Sequence, residues 1–198
     1  MGLIKDEVSN FTITSGLIIF DEDKEPEGYK WFRRERQPLV LTLYNLRSIK
    51  RVRGYDNKVF VFENPAVFYQ LLTAFTIDFP SLICVSGQPN LSTLSLLDKI
   101  SEENNIIYYA GDFDPEGLQI ADNLQYRYGN KLRFLGMDKD NYLKIRGNIS
   151  YAERVGKLEV VASPELQELK EEMKIACTAG YQELLTEYYI EEIKRVMK

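Results

Sequence analysis

Short apolar runs and helical patterns alternate through the middle of the chain. The runs, rich in β-branched and aromatic residues, lie at 59–62, 82–85, 106–109 and 132–135. Between the first two, apolar residues recur at helical spacing, namely Val67, Phe68, Leu71, Leu72 and Phe75. Strands that alternate with helices form parallel sheets covered on both faces. The pattern therefore predicts an α/β fold with a central four-stranded, mostly parallel sheet flanked by helices.

Weaker patterns lie on either side of this core. Apolar runs at 16–20 and 39–44 predict two further strands, with a solvated loop at 21–28 between them. The basic stretch 45–53 is typical of a solvated helix face, and helical spacing of apolar residues resumes from Pro164. These patterns divide the chain into three parts: an N-terminal β/α extension at 1–57, the core at 58–146 and a C-terminal helical segment at 147–198 that packs on the core.

The composition is that of a chain with one sizeable hydrophobic core. Of 198 residues, 44% are hydrophobic and 28% are charged, which is ordinary for a globular protein. No apolar run approaches the roughly 20 residues that span a bilayer, and no secretion signal opens the chain. Cys84 and Cys177 lie in apolar and helical patterns that suit reduced thiols. We therefore expect a cytoplasmic protein without membrane contact.

The absence of histidine restricts the available chemistry. It excludes His-dependent catalytic triads and nearly all zinc sites. Catalysis must then use carboxylates, amides, hydroxyls or lysines. The net charge of −5 argues against a stand-alone nucleic-acid-binding module, which needs a basic surface. It is compatible with a metal-binding catalytic domain that relies on another domain or subunit to hold DNA.

Polar residues follow three of the predicted strands, where ligands of parallel sheets bind. Glu63 follows the first strand, Ser86 and Gln88 follow the second, and Asp112 and Asp114 follow the third. In extended backbone the two aspartates point to one side, with their Cα atoms roughly 7 Å apart. Carboxylate oxygens bind Mg²⁺, and like charges this close repel unless a cation intervenes. Glu63, Asp112 and Asp114 thus predict a site for one or two Mg²⁺ or Mn²⁺ ions.

Other interpretations of these loops stay open. Asn64-Pro65 and Asp114-Pro115 are typical of helix N-termini, so each loop alone could serve as a helix cap. A calcium-binding EF-hand loop beginning at Asp112 would need glutamate where Asn123 stands. A phosphatase motif of the form DxDxT would need threonine where Glu116 stands. Neither of these two motifs fits well.

Several segments resemble known families. Glu63 at the end of one strand and GDFDPEGLQIA (111–121) after another resemble the Toprim domain of topoisomerases, bacterial primases and small nucleases. The form of this motif is closest to that of topoisomerase VI A subunits. Over roughly residues 38–196 the chain resembles the DUF2399 family, through PLVLTLYNL (38–46), FENPAV (62–67), CVSGQPN (84–90), YYAGDFD (108–114) and AGYQELL (179–185).

The resemblance implies a Rossmann-like Toprim core with Glu63, Asp112 and Asp114 as metal ligands. It also implies Mg²⁺-dependent DNA cleavage, because the family resembles the C-terminal half of the nuclease subunit of Wadjet-type, SMC-associated plasmid-defence systems. The chain would then lack an N-terminal DNA-binding half and act as a homodimer with an SMC-like complex. Glu116 matches the third acidic position of type II topoisomerases, which makes it a candidate second-metal ligand. A favourable interaction with the helix dipole is its alternative role.

Two other classes of function compete with a nuclease. One is a catalytically degenerate Toprim fold that serves as a scaffold for assembly or DNA binding. The other is a phosphatase or a small-molecule phosphotransferase. For a nuclease, the nucleophile would be water or a tyrosine from another domain, since Tyr108 and Tyr109 are predicted to pack within the sheet.

Overall fold

A computed structural model describes residues 6–198, so the predictions for the first five residues lie outside the described part. Its strands are β1 (Phe11–Ser15), β2 (Ile18–Phe20), β3 (Leu39–Thr42), β4 (Arg51–Arg53), β5 (Lys58–Phe62), β6 (Ser81–Cys84), β7 (Ile106–Ala110), β8 (Leu132–Phe134), β9 (Arg146–Ser150) and β10 (Thr178–Gly180). Its α-helices are α1 (Glu27–Arg34), α2 (Leu43–Leu46), α3 (Pro65–Ala74), α4 (Leu91–Glu102), α5 (Pro115–Tyr128), α6 (Lys139–Ile145), α7 (Gln167–Ala176) and α8 (Thr186–Val196). Five short 3-10 segments complete the fold, at Tyr55–Asn57, Gly129–Lys131, Ala152–Val160, Pro164–Leu166 and Gln182–Leu185.

The central sheet is mixed and mostly parallel, with the strand order β3-β1-β6-β5-β7-β8. The four strands predicted from the apolar runs form its parallel part, β6-β5-β7-β8. Consecutive residues of β5 point to opposite faces, and Val59, Phe60, Val61 and Phe62 are all fully buried. Both faces of the sheet are therefore covered, as expected for parallel strands.

The sheet has six strands rather than the predicted four. β1 pairs antiparallel with both β3 and β6, so the N-terminal part adds two strands to the central sheet. β1 has the sequence FTITS, which contains no continuous apolar run. Its threonines are nevertheless buried, because the Thr12 hydroxyl donates to Cys84 O (3.2 Å) and the Thr14 hydroxyl donates to Leu39 O (3.3 Å). The division of the chain at residues 57 and 146 stays a prediction.

The interpretation of the basic residues in 45–53 as a solvated helix face is wrong, because all four lie beyond the end of the helix that precedes them. Helix α2 ends at Leu46, and Arg51 and Arg53 belong to β4, which pairs antiparallel with β2. Their guanidinium carbons lie 5.0 and 4.9 Å from the centre of the Phe20 ring. The two guanidinium groups therefore pack on the Phe20 ring across the strand pair. The loop predicted at 21–28 is also shorter, because α1 begins at Glu27.

The C-terminal part forms the predicted helices and also one strand of a separate, two-stranded sheet. Strand β10 pairs with β9, and the Gly180 backbone forms an isolated bridge with Phe113, directly after β7. Cys84 and Cys177 are free thiols, as predicted. Over residues 6–198, none of the helices is long and apolar enough to cross a membrane.

Candidate metal centre

Two parallel strands end together and bring Glu63 to the aspartate loop. Phe62 of β5 is paired with Ala110 of β7, and the Glu63 N–H continues this ladder by donating to Ala110 O at 3.2 Å. The Glu63 side chain then accepts a hydrogen bond through Oε2 from the Asp112 N–H, also at 3.2 Å. Residues 49 positions apart in the chain thus meet at the carboxyl ends of the strands.

The side chain between the two aspartates fixes their direction. Phe113 is fully buried and stacks on the Tyr142 ring, with 6.0 Å between ring centres. Its backbone exchanges two hydrogen bonds with Gly180, at 3.3 and 3.0 Å. Because side chains alternate along extended backbone, Asp112 and Asp114 project away from the Phe113 anchor. Both aspartates are partly buried. With Glu63, they lie at the edge formed by the carboxyl ends of the parallel strands, which we call the rim.

Asp114 and Asn64 are helix caps, as the alternative interpretation predicted. Asp114 Oδ1 accepts a hydrogen bond from the Gly117 N–H at 2.7 Å, at the start of α5. Asn64 Oδ1 accepts one from the Ala66 N–H at 2.8 Å, at the start of α3. Capping occupies one oxygen of the Asp114 carboxylate, so it is compatible with a further role for Oδ2.

Two glycines allow the backbone and side chains of the rim to approach each other. A Cβ atom at Gly111 would lie 2.8 Å from the Tyr109 hydroxyl and 3.0 Å from Glu63 Oε2. A Cβ atom at Gly117 would lie 2.2 Å from the Asp112 carbonyl oxygen. Any larger residue at these positions would force the carboxylates or the loop to move.

Burial and mutual repulsion raise the proton affinity of the two central acids. The pKa of Glu63 rises from 4.5 to about 7, mainly through burial and also through the charges of Asp112 and Asp114, while the Asp112 N–H partly opposes the rise. The pKa of Asp112 rises from 3.8 to about 6, again mainly through burial, and then through the charges of Glu183 and Asp114. These acids are therefore close enough to repel one another.

Sequence reasoning missed one acid at this rim, Glu183. It lies in the 3-10 segment Gln182–Leu185, and its Oε1 accepts a hydrogen bond from Asn64 Nδ2 at 2.7 Å. The segment AGYQELL resembles the family, but its sequence does not indicate that Glu183 lies beside Asp112, which is 71 positions earlier in the chain. Only the folded chain brings the two acids together.

The polar atoms of the rim fit a cation. Asp112 Oδ1, Glu183 Oε2 and the Tyr109 hydroxyl are buried, and none has a hydrogen-bond partner in the described part of the chain. Buried charges in proteins are normally paired or bound to metal. As the side chains stand, however, residues 6–198 contain no group of three or more acids or cysteines arranged to hold one ion. Binding would therefore require side-chain rotation at the rim.

Glu116, in the first turn of α5, forms two ion pairs. Its two oxygens accept hydrogen bonds from Arg154 Nη1 at 2.5 Å and Lys157 Nζ at 2.6 Å. Although partial burial acts to raise the pKa of Glu116, these two cations bring it below its ordinary value. Its role as a second-metal ligand stays a prediction.

The loop after β6 reaches the same rim. Ser86 has a left-handed backbone (φ +53°), and the Gly87 N–H donates to Glu63 O at 3.3 Å. The Ser86 hydroxyl lies 3.4 Å from the Cys84 sulfur. The predicted role of Ser86 and Gln88 in holding a phosphate stays a prediction.

The fold and this rim define an α/β protein whose mixed sheet carries a cluster of carboxylates at the ends of its parallel strands. A family profile described as "Protein of unknown function C-terminus (DUF2399)" matches residues 39–193. The chain therefore belongs to the DUF2399 family. No curated protein matched the chain.

Proposed function

We propose that this protein cleaves DNA phosphodiester bonds with Mg²⁺ or Mn²⁺, as a nuclease of the Toprim type. The observation that carries the proposal is the meeting of Glu63 with the Asp112 backbone, beside a buried Asp112 oxygen that has no hydrogen-bond partner among residues 6–198. Helix capping explains Asp114 and Asn64, but it does not explain Glu63 or Asp112. A divalent cation would relieve the repulsion that raises the pKa values of these two acids.

Each residue at the rim has a role in this proposal. Asp112 and Asp114, with Glu63, would hold the cation. The bound cation would stabilise negative charge on the phosphate and on the departing oxygen. As the alternative to binding the cation, Glu63 would accept the proton of an attacking water molecule. A tyrosine of another domain is the alternative nucleophile, since Tyr109 is fully buried.

The cations beside α5 would contact the DNA backbone. Arg154 and Lys157 are held by Glu116, and about half of each side chain remains exposed. The charge of Asp114 also contributes to the raised pKa of Arg154, so this cation lies within electrostatic reach of the rim. Phosphate contacts of this kind supply affinity without sequence preference.

With a net charge of −5, the chain would depend on other parts for most of its grip on DNA. We include in the proposal a cytoplasmic homodimer, an N-terminal DNA-binding half and an SMC-like complex of the Wadjet type. These partners rest on the family resemblance alone.

The direct test is a plasmid-nicking assay with Mg²⁺ or Mn²⁺, comparing the wild type with Asp112→Asn. The exposed Glu191→Gln variant is the matched control for loss of one charge. We expect metal-dependent nicking by the wild type and the control, and none by Asp112→Asn. Equal nicking by all three proteins would contradict the proposal.

Binding of Mn²⁺, measured by electron paramagnetic resonance, provides a readout that does not need a DNA-binding partner. Absence of binding by the wild type would favour the scaffold function. Release of phosphate from an aryl phosphate, with DNA left intact, would favour a phosphatase.

A further inference from the structure

We propose that Glu183 is a further carboxylate ligand at the rim, supplied by the C-terminal segment. The inference deepens the proposed function and rests on it, because the cation is the one assigned to Glu63, Asp112 and Asp114. It completes the site with a residue from a part of the chain that follows the α/β core in sequence.

The fold holds the Glu183 segment against both acidic loops. The Gly180 backbone exchanges two hydrogen bonds with Phe113, between the two aspartates. Two residues further on, the fully buried Gln182 accepts a hydrogen bond through Oε1 from the Asn64 N–H at 3.2 Å. One side of the segment is thus tied to the loop after β7, and the other to the loop after β5.

The two oxygens of Glu183 have different surroundings. Oε1 accepts a hydrogen bond from Asn64 Nδ2 at 2.7 Å, which orients the carboxylate. Oε2 is buried and has no hydrogen-bond partner among residues 6–198. The hydrogen bonds of the segment to Phe113 and Asn64 place this carboxylate beside both acidic loops. A buried carboxylate oxygen beside another acid is suited to a cation.

The buried hydroxyl of Tyr109 is a second observation that supports cation binding at the rim. The Tyr109 hydroxyl is completely buried and forms no hydrogen bond of standard geometry within residues 6–198, although it approaches the Glu63 carboxylate. A Cβ atom at Gly111 would lie 2.8 Å from this hydroxyl and 3.0 Å from Glu63 Oε2, so the hydroxyl lies on the same side of Gly111 as the Glu63 carboxylate. A hydroxyl there can donate to Glu63 once the carboxylates rearrange around a cation. Helix capping accounts for neither Tyr109 nor Glu183.

The alternative role of Glu183 is to hold Asn64 in place. Glu183→Gln separates the two roles, because the amide oxygen of glutamine can still accept the bond from Asn64 Nδ2 while the charge is lost. Glu183→Ala removes both the bond and the charge. Exposed Glu187, four residues further along the chain, provides the matched control Glu187→Gln.

The experiment measures Mn²⁺ affinity for the full 198-residue chain by electron paramagnetic resonance, with circular dichroism to check folding. We expect Glu183→Gln to weaken Mn²⁺ binding by at least about tenfold, since even residues that only orient a metal ligand typically contribute that much. Glu187→Gln should bind as the wild type does. Glu183→Ala should bind no better than Glu183→Gln.

The outcomes separate this inference from the proposed function. Wild-type affinity in Glu183→Gln, with loss of binding in Asp112→Asn, would show that Glu183 only holds Asn64, and the nuclease proposal would stand. Weakened binding in Glu183→Ala alone would lead to the same conclusion. If the wild type itself binds no Mn²⁺, both the inference and the proposed function fail.

Discussion

Replacing Glu63 by glutamine is expected to stabilise the metal-free protein above neutral pH. Burial, with the charges of Asp112 and Asp114, raises the pKa of Glu63 from 4.5 to about 7 in the folded chain. A carboxyl group with a raised folded-state pKa contributes stability below pH 4.5, and that contribution is lost as the pH rises through 7. Above pH 7, the buried charge therefore destabilises the folded state.

The size of the effect follows from the two pKa values. Each tenfold change in proton affinity corresponds to about 1.4 kcal/mol, so the rise to about 7 corresponds to about 3 kcal/mol. Rearrangement of the neighbouring acids reduces this figure, and we expect a gain of about 1 to 3 kcal/mol at pH 8. Glutamine keeps an oxygen that can accept the Asp112 N–H, so the loop should remain in place.

Urea unfolding in the presence of EDTA, at pH 8 and pH 4.5, measures this gain. The stabilisation should be nearly absent at pH 4.5, where the folded wild type carries protonated Glu63. Glu191→Gln, on the exposed side of α8, controls for the change in net charge and should alter stability little at either pH. Adding Mn²⁺ at pH 8 should raise the stability of the wild type more than that of Glu63→Gln. A variant that is no more stable than the wild type at pH 8 would refute the reasoning.

Four further predictions follow from the same geometry. A cation binds ionised carboxylates, and the pKa values of Asp112 and Glu63 are about 6 and about 7. The affinity for Mn²⁺ should therefore rise between pH 5 and pH 8, as measured by electron paramagnetic resonance. An affinity that does not change with pH would contradict this prediction. Glu116→Gln should leave Mn²⁺ affinity unchanged and reduce unfolding free energy by less than about 1 kcal/mol, since the ion pairs are partly exposed. Gly111→Ala should abolish metal-dependent nicking while circular dichroism still reports a folded chain, because its Cβ would lie 3.0 Å from Glu63 Oε2. Lys157→Ala should weaken DNA binding and lower the salt dependence of the affinity by about one phosphate contact, as measured by fluorescence anisotropy at several salt concentrations.

Local periodicity made the parallel part of the sheet predictable. Side chains of β5 are buried on both faces of the sheet, as at Val61 and Phe62, so the strand appears in the sequence as a continuous apolar run. Once the strands are known, the positions of Glu63 and Asp112 at one rim follow from the common direction of parallel strands. β1 is different, because its alternation FTITS buries the threonines, through hydrogen bonds to backbone oxygens, and leaves Phe11 exposed.

The position of Glu183 could not be predicted, because it depends on contacts between distant segments. The bond that orients it joins residues 119 positions apart, and the bridge at Gly180 depends on the fold of everything between. No pattern of spacing within AGYQELL carries this information. For Glu116 the sequence motif did suggest a role, that of a metal ligand. In the structure its partners are Arg154 and Lys157, which the motif does not indicate.

The rim is informative because local structural needs explain only part of it. A chain that needed only to begin α3 and α5 would require Asn64 and Asp114, and both make their capping bonds. It would gain nothing from placing Glu63, Asp112 and Glu183 close together, since each buried charge without a counter-ion destabilises the fold. In the proposed function, a bound cation would offset the repulsion between these acids. The destabilisation predicted for ionised Glu63 and the proposed binding of a cation at the rim would both follow from this one arrangement.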